Sequence, residues 1–185
     1  MDRRELACAL REHAYLEGDF VLRSGRRSPY YLDKYRFETR PEVLRPLGEA
    51  LAEAVRGAEP GAVRLAGPEL GAVTLAAAAS LASGLPFVIV RKVPKSYGTG
   101  NQLEGAFDEG DLTCLVEDIV TSGGAAVAAV ETLREAGLAV RNAVCVIDRE
   151  EGGSEALSGV GVTLRPLFRV RELADLGKTA AKPHG

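Results

Sequence analysis

The chain has little from which to build a metal centre of nitrogen and sulfur ligands. Its 185 residues include two histidines, His13 and His184, and three cysteines, Cys8, Cys114 and Cys145. No CxxC pair is present, so a zinc or iron–sulfur site is not expected. Three cysteines, far apart and each in an apolar stretch, predict buried, reduced thiols and a cytoplasmic protein. Two glycine signatures are also missing: GxGxxG, which marks dinucleotide sites, and a phosphate loop ending in GK[ST]. Basic residues are not in excess. With 23 Lys and Arg against 26 Asp and Glu, the net charge of -3 argues against a nucleic-acid-wrapping surface. The opening "MDRRELACALREHAYLEG" is charged from its second residue and has no signal-peptide core. One stretch of 20 residues, Gly71 to Val90, carries no charge, but "SGLP" interrupts it. A buried helix followed by a buried strand is expected there, and no membrane span.

What remains is an ordinary globular composition, 46% hydrophobic and 26% charged, long enough for one domain with a sizeable core. A first helix is expected to about Tyr15, with Leu6, Ala9, Leu10 and His13 on one face. "FVLRSGRRSPYYLD" reads as two short strands around a Ser24-Gly25 turn. "RPEVLRPLGEALAEAVRG" reads as a helix with Leu44, Leu47, Leu51 and Val55 at helical spacing, kinked or restarted at Pro46. From residue 62, short apolar strands alternate with helices of about a dozen residues, the pattern of βαβ units and a parallel sheet. "VGVTLRPLFRV" adds an edge strand, "RELADLG" a last helical turn and "KTAAKPHG", residues 178–185, a frayed tail. A single domain over residues 1–185 is expected.

The most informative stretch is "CLVEDIVTSGG", residues 114–124. In an open parallel sheet, ligands sit beyond the carboxyl ends of the strands. Here an apolar strand ends in Glu117 and Asp118, and a helix opens on Gly123 and Gly124. The N–H groups from Thr121 to Ala125 precede that helix, where backbone amides and the helix dipole favour an anion. The two acids, set to one side, can accept hydrogen bonds from a vicinal diol. Phosphate and diol together describe a 5-phosphorylated ribose. On spacing alone, a capped strand–turn–helix with no ligand fits equally well.

The stretch resembles the phosphoribosyl pyrophosphate (PRPP) signature of type I phosphoribosyltransferases. Three further stretches, "FVLRSGRRSPYYLD", "RKVPKSYGTGNQLEG" and "VIDREEGG", resemble the orotate phosphoribosyltransferase branch, in the expected order from about residue 18 to 170. The resemblance implies an α/β fold: a parallel sheet flanked by helices, with a small N-terminal hood within residues 1–40 and a mobile lid loop. It implies that Glu117 and Asp118 hold the ribose hydroxyls, with Asp118 counted as catalytic, and that Ile119, Val120, Thr121, Ser122, Gly123, Gly124 and Ala125 complete the PRPP site. Many relatives carry Ser or Thr at the position of Gly124, so one side-chain donor is missing.

The same resemblance makes "RKVPKSYG" the lid. Arg91, Lys92, Lys95 and Tyr97 would meet the pyrophosphate, with Lys92 and Lys95 catalytic. Physically, a closing cationic lid suits a displacement at the anomeric carbon, because it excludes water and neutralises the departing charge. Arg149 would contact orotate, with Thr121 sharing that duty. Arg23 stands where many relatives have a substrate-contacting Lys; a plain surface cation is the alternative. Tyr30 and Tyr31 would flank the base or simply pack in a strand. "GPELG" lacks the lysine that some relatives place in this loop, so one pyrophosphate contact is absent or moved. Mg2+ is implied, bound mainly through the substrate pyrophosphate with no dedicated protein ligands. A homodimer sharing its lids is implied, with orotate and PRPP as the small-molecule partners and neither nucleic acid nor membrane. Two rival readings are a transferase for another base and a PRPP-sensing regulator. The "SGRRSPYY" segment and Arg149 speak against the first, the cationic lid against the second.

Overall fold

The computed structural model describes residues 1–21, 25, 27–93 and 102–180, the last three by backbone only. The first helix, α1 (Arg3–Ala14), begins in a capping box: Asp2 accepts from the Glu5 amide and Glu5 accepts from the Asp2 amide. It buries Leu6, Ala7, Leu10 and Ala14. Cys8 is exposed, contrary to the expectation of three buried thiols. Two residues beyond Leu6, it lies roughly 200° around the helix from the core-facing stripe. Cys114 and Cys145 are buried, and burial pushes the Cys114 thiol up to about 12.

An antiparallel pair follows, β1 (Tyr15–Val21) and β2 (Arg27–Leu32), forming a sheet of its own. A one-turn helix, α2 (Tyr35–Glu38), leads into α3 (Pro41–Ala58). This longer helix runs unbroken through Pro46, so the expected restart does not occur, and it buries Val43, Leu47, Leu51 and Val55. Leu44 packs only at the edge of the core.

The main sheet comprises β3 (Arg64–Pro68), β4 (Phe87–Val90), β5 (Leu103–Glu104), β6 (Leu112–Val120), β7 (Ala139–Asp148) and β8 (Thr163–Arg169). Their order is β5-β4-β3-β6-β7-β8, parallel throughout except for β5, which pairs antiparallel with β4. The uncharged stretch resolves into α4 (Gly71–Ser83) and β4, and no helix among the described residues is long and apolar enough to cross a membrane. The remaining helices are α5 (Gly124–Glu135), α6 (Gly153–Gly159) and α7 (Val170–Ala180). Helix α7 continues three residues into the segment expected to fray.

Strand alternation divides the core between two faces. Cys114 and Val116 of β6 and Val144 and Val146 of β7 pack with α1, α3 and α4. Leu115, Ala143 and Cys145 pack with Ala126, Val130 and Leu133 of α5 and Leu157 of α6. With both faces covered, the parallel strands leave their carboxyl ends as the open edge.

Candidate active site

At that edge lies a cavity of about 280 Å³. Its walls include Glu117 and Asp118 of β6, Thr121, Gly123 and Ala125 of the following turn, and Arg91 and Lys92 after β4. The two acids are buried because β6 is central in the sheet, with β3 on one side and β7 on the other. Ile119 and Val120 serve the site through their backbones. The Ile119 amide donates to Asp118 Oδ1 at 2.5 Å, and the Val120 carbonyl accepts from the Arg149 amide at 2.9 Å.

The turn has the features of an anion cradle. Gly123 caps α5 with φ 82°, in the left-handed region that favours glycine, and no side chain caps the helix. The first turn of α5 contains no acid. The amides of Gly124, Ala125 and Ala126 begin the helix and have no partner within it. A β-carbon on Gly124 would meet nothing within 4 Å, so this glycine is not demanded by crowding. Thr121 and Ser122 are exposed. Among the described residues, the turn after β6 therefore combines free amides with two buried carboxylates one step back on the strand.

Sequence reasoning missed a third component. Lys34, just before α2, reaches over the same cavity and donates to Asp118 Oδ2 at 2.5 Å. Burial lowers the affinity of Lys34 for its proton, but the charge and hydrogen bond of Asp118 outweigh it and hold the ammonium in its charged form. Glu38 is buried nearby, 2% exposed, with Oε1 lacking a hydrogen-bond partner. Burial, then the neighbouring charge of Asp118, push Glu38 up to about 8. The same two causes push Glu117 up to about 8, and its Oε1 also lacks a partner. The cluster thus favours the charged form of Lys34 and the protonated forms of Glu38 and Glu117.

Glu69, in the loop after β3, accepts from the Lys92 amide at 2.7 Å, and the Arg91 amide donates to the Gln102 carbonyl at 2.9 Å. Arg91 also pairs with Glu104 at 3.6 Å. These contacts fix the start of the cationic segment beside the carboxylates. Lys95 and Tyr97 of that segment, and Arg23 of the hairpin turn, lie outside the described residues.

Arg149 lies on the next turn, after β7, and is not part of the cavity wall. It is 9% exposed, with Nη2 3.0 Å from Glu151 and 3.3 Å from the Tyr30 hydroxyl. Its guanidinium sits 5.0 Å from the Tyr30 ring centroid, and Tyr30 stacks in turn on Tyr15. Nε of Arg149 is buried without a partner. Tyr31 does not join this group. Neighbouring strand residues face opposite sides, and Tyr31 is turned outward against Phe20. Only one of the two tyrosines expected beside a base is near Arg149.

Comparison with known proteins identifies the family. The family model described as "Phosphoribosyl transferase domain" matches residues 36–164. A protein named orotate phosphoribosyltransferase from Methanocella arvoryzae is 51% identical over 84% of this chain and 87% of its own. The chain belongs to the orotate phosphoribosyltransferase family. The relative of that name from Natronomonas pharaonis is 47% identical over 94% of this chain and 98% of its own. The crystal structure of Mycobacterium tuberculosis orotate phosphoribosyltransferase in complex with PRPP superimposes with a TM-score of 0.79 at 29% identity. It covers 94% of this chain and 99% of that one. The stretch matched by the family model includes the carboxylate pair, the turn and Arg149, whereas Tyr30 and Lys34 precede it.

Proposed function

We propose that this protein transfers the 5-phosphoribosyl group of PRPP to orotate, giving orotidine 5-monophosphate and pyrophosphate, a step in making pyrimidine nucleotides in the cytoplasm. The observation that carries this reading is the junction of β6 and α5, where Glu117 and Asp118 stand directly before the uncapped amides of the glycine turn. In this reading the turn from Thr121 to Ala125 holds the 5-phosphate and the two acids accept the ribose hydroxyls. The anomeric carbon then lies over the cavity. As its bond to the pyrophosphate oxygen breaks, a bond to the ring nitrogen of orotate forms, and the proton of that nitrogen leaves with the departing pyrophosphate. No residue attacks covalently. The protein's contribution is positioning, exclusion of water and cationic neutralisation of the departing charge.

Arg149 and Tyr30 supply the base subsite. A planar guanidinium beside an aromatic ring suits a flat heterocycle bearing a carboxylate. The partnerless Nε of Arg149 gives it a donor to spare. In this reading Thr121, on the cavity wall, shares the contact with the base. The relatives named as orotate phosphoribosyltransferases support this choice of base.

Magnesium fits as a companion of the substrate. Among the described residues no group of three acidic, His or Cys side chains could hold an ion alone, while two buried acids stand next to the diol site. Asp118 and Glu117 are the acids that would help to hold an ion carried on the pyrophosphate. When bound, it supplies charge neutralisation to the leaving group.

The β1–β2 sheet acts as the hood over the base, and the segment from Arg91 to Gly105 as the lid, with Lys92 and Lys95 closing on the pyrophosphate. A homodimer lets one subunit's lid serve the other's site. Loss of orotate absorbance on adding PRPP and magnesium tests the reaction, and absence of any loss counts against it. Mixing Lys95→Ala and Asp118→Asn proteins, each strongly impaired alone, tests lid sharing. Partial recovery of activity is expected, and no recovery after confirmed subunit exchange contradicts sharing.

A further inference from the structure

Lys34 sits in the cavity but is explained by none of the roles above. Its ammonium is 2.5 Å from Asp118 Oδ2, the oxygen of the acid that a ribose diol would need. The same ammonium lies against the loop between β3 and α4. A β-carbon on Gly71 would fall 2.0 Å from Asp118 Oδ2, 2.7 Å from Lys34 Nζ and 3.0 Å from Glu38 Oε1. Any side chain at position 71 would therefore collide with the Lys34–Asp118 pair. Pro68, Glu69, Leu70 and Gly71, the loop itself, carry no cation. The positive charge beside it is delivered from the stretch between β2 and α2.

We propose that Lys34 is a further substrate-contacting residue, which holds Asp118 until a ribose diol takes it over and then passes its ammonium to the pyrophosphate. This rests on reading the site as one for PRPP. The exchange balances in charge and hydrogen bonds. Asp118 loses one donor and gains the diol, while Lys34 loses one carboxylate and gains a more highly charged acceptor. Lys34 is one-third exposed and sits on a flexible four-carbon stem, so it can turn without moving the backbone. Its ammonium also lies 5.3 Å from the Tyr35 ring centroid, a second contact besides Asp118. Glu38 also attracts the lysine, but less than Asp118 does, so the Asp118 contact is the main one to be exchanged. The glycine at 71 keeps the path open.

The rival role for Lys34 is purely structural, as a fixed counter-ion for buried Asp118. The two roles separate by ligand. Isothermal titration of wild type and Lys34→Met is carried out with magnesium pyrophosphate, ribose 5-phosphate and PRPP. The proposal expects Lys34→Met to bind pyrophosphate and PRPP at least tenfold more weakly, and ribose 5-phosphate within threefold of wild type or more tightly. Unchanged pyrophosphate affinity, or a loss confined to ribose 5-phosphate, overturns it. Removing Lys34 leaves Asp118 buried and unpaired, which can prevent folding. The same comparison is therefore made between Asp118→Asn and the double variant Lys34→Met/Asp118→Asn, where no charge is stranded. A tenfold loss of pyrophosphate affinity is expected again, and equal affinities overturn the proposal. Wild type that binds none of the three ligands overturns the PRPP reading itself. Wild-type binding with unaltered Lys34→Met overturns the role of Lys34 alone.

Discussion

Gly123 and Gly153 meet across the two turns that follow β6 and β7: a β-carbon on Gly123 would stand 3.0 Å from the Cα of Gly153. The contact joins the turn assigned to phosphate with the turn that follows Arg149. It is tighter still from the other side, since a β-carbon on Gly153 would lie 2.3 Å from Val120 Cγ1 and 2.6 Å from the Thr121 carbonyl oxygen. Gly153→Ala should push these turns apart. The expected cost is about 1–3 kcal/mol of stability, as for other overpacked sites. PRPP binding should weaken at least tenfold. Thermal melting and titration calorimetry measure both, and wild-type binding by this variant would show that the turn tolerates the shift.

Gly124 should behave in the opposite way. Its β-position is open, its φ is not in the left-handed region, and it lies at the start of α5. Gly124→Ser should leave melting unchanged and add a hydroxyl donor beside the phosphate amides. One extra hydrogen bond contributes about 0.5–1.5 kcal/mol, which corresponds to roughly two- to tenfold tighter PRPP binding. Weaker binding would mean that no phosphate approaches this residue.

For Arg149, the informative readout is a split between substrates. Arg149→Ala should raise the KM for orotate far more than the KM for PRPP, because the arginine stands on the Tyr30 side and outside the wall of the phosphate cavity. Tyr30→Phe removes one 3.3 Å hydrogen bond and keeps the ring, so it should have a smaller effect in the same direction. Equal effects of Arg149→Ala on both KM values would rule out a base contact.

The carboxyl cluster makes stability depend on pH. Glu38 and Glu117 are held at about 8 in the fold, against an ordinary value of 4.5. Between those values the folded protein binds more protons than the unfolded chain. Their contribution is therefore fully present below the ordinary value and is lost as pH rises through about 8. The melting temperature should fall from about pH 5 to about pH 9, and Glu38→Gln should flatten part of that fall. A wild-type melting temperature that rises steadily across this range would mean that the two acids are ionised in the fold.

Much of this site was legible in the sequence because its signals are local. Two acids at the end of an apolar strand, followed by two glycines, have a physical meaning within a dozen residues. The alternation of strands and helices gave the sheet for the same reason. Lys34 was not legible. It meets Asp118 across 84 positions and comes from a connection with no periodic pattern. Glu38 sits in a four-residue helix, and α6 is only seven residues long, too short for apolar spacing to declare either. Strand β5 has two residues and is antiparallel, an exception that a βαβ pattern cannot announce. Cys8 was misread because an apolar neighbourhood in sequence says nothing of which side of a helix a residue takes. Tyr30 and Tyr31 were both set beside the base by the resemblance, with strand packing as the alternative, and strand geometry sends such neighbours to opposite faces.

The central claim is that this chain moves a phosphoribosyl group to orotate, and competition between bases tests it most directly. Orotate, uracil, hypoxanthine and adenine are supplied together in equal amounts with magnesium and limiting PRPP, and the nucleotide products are separated and weighed by mass spectrometry. The expected result is orotidine 5-monophosphate as the nucleotide product, matched mole for mole by pyrophosphate and slowed at least tenfold by Asp118→Asn, which loses a charge-assisted hydrogen bond of about 1.5–3 kcal/mol. Formation of uridine or purine nucleotides in its place, or no product while PRPP binds, would contradict the account.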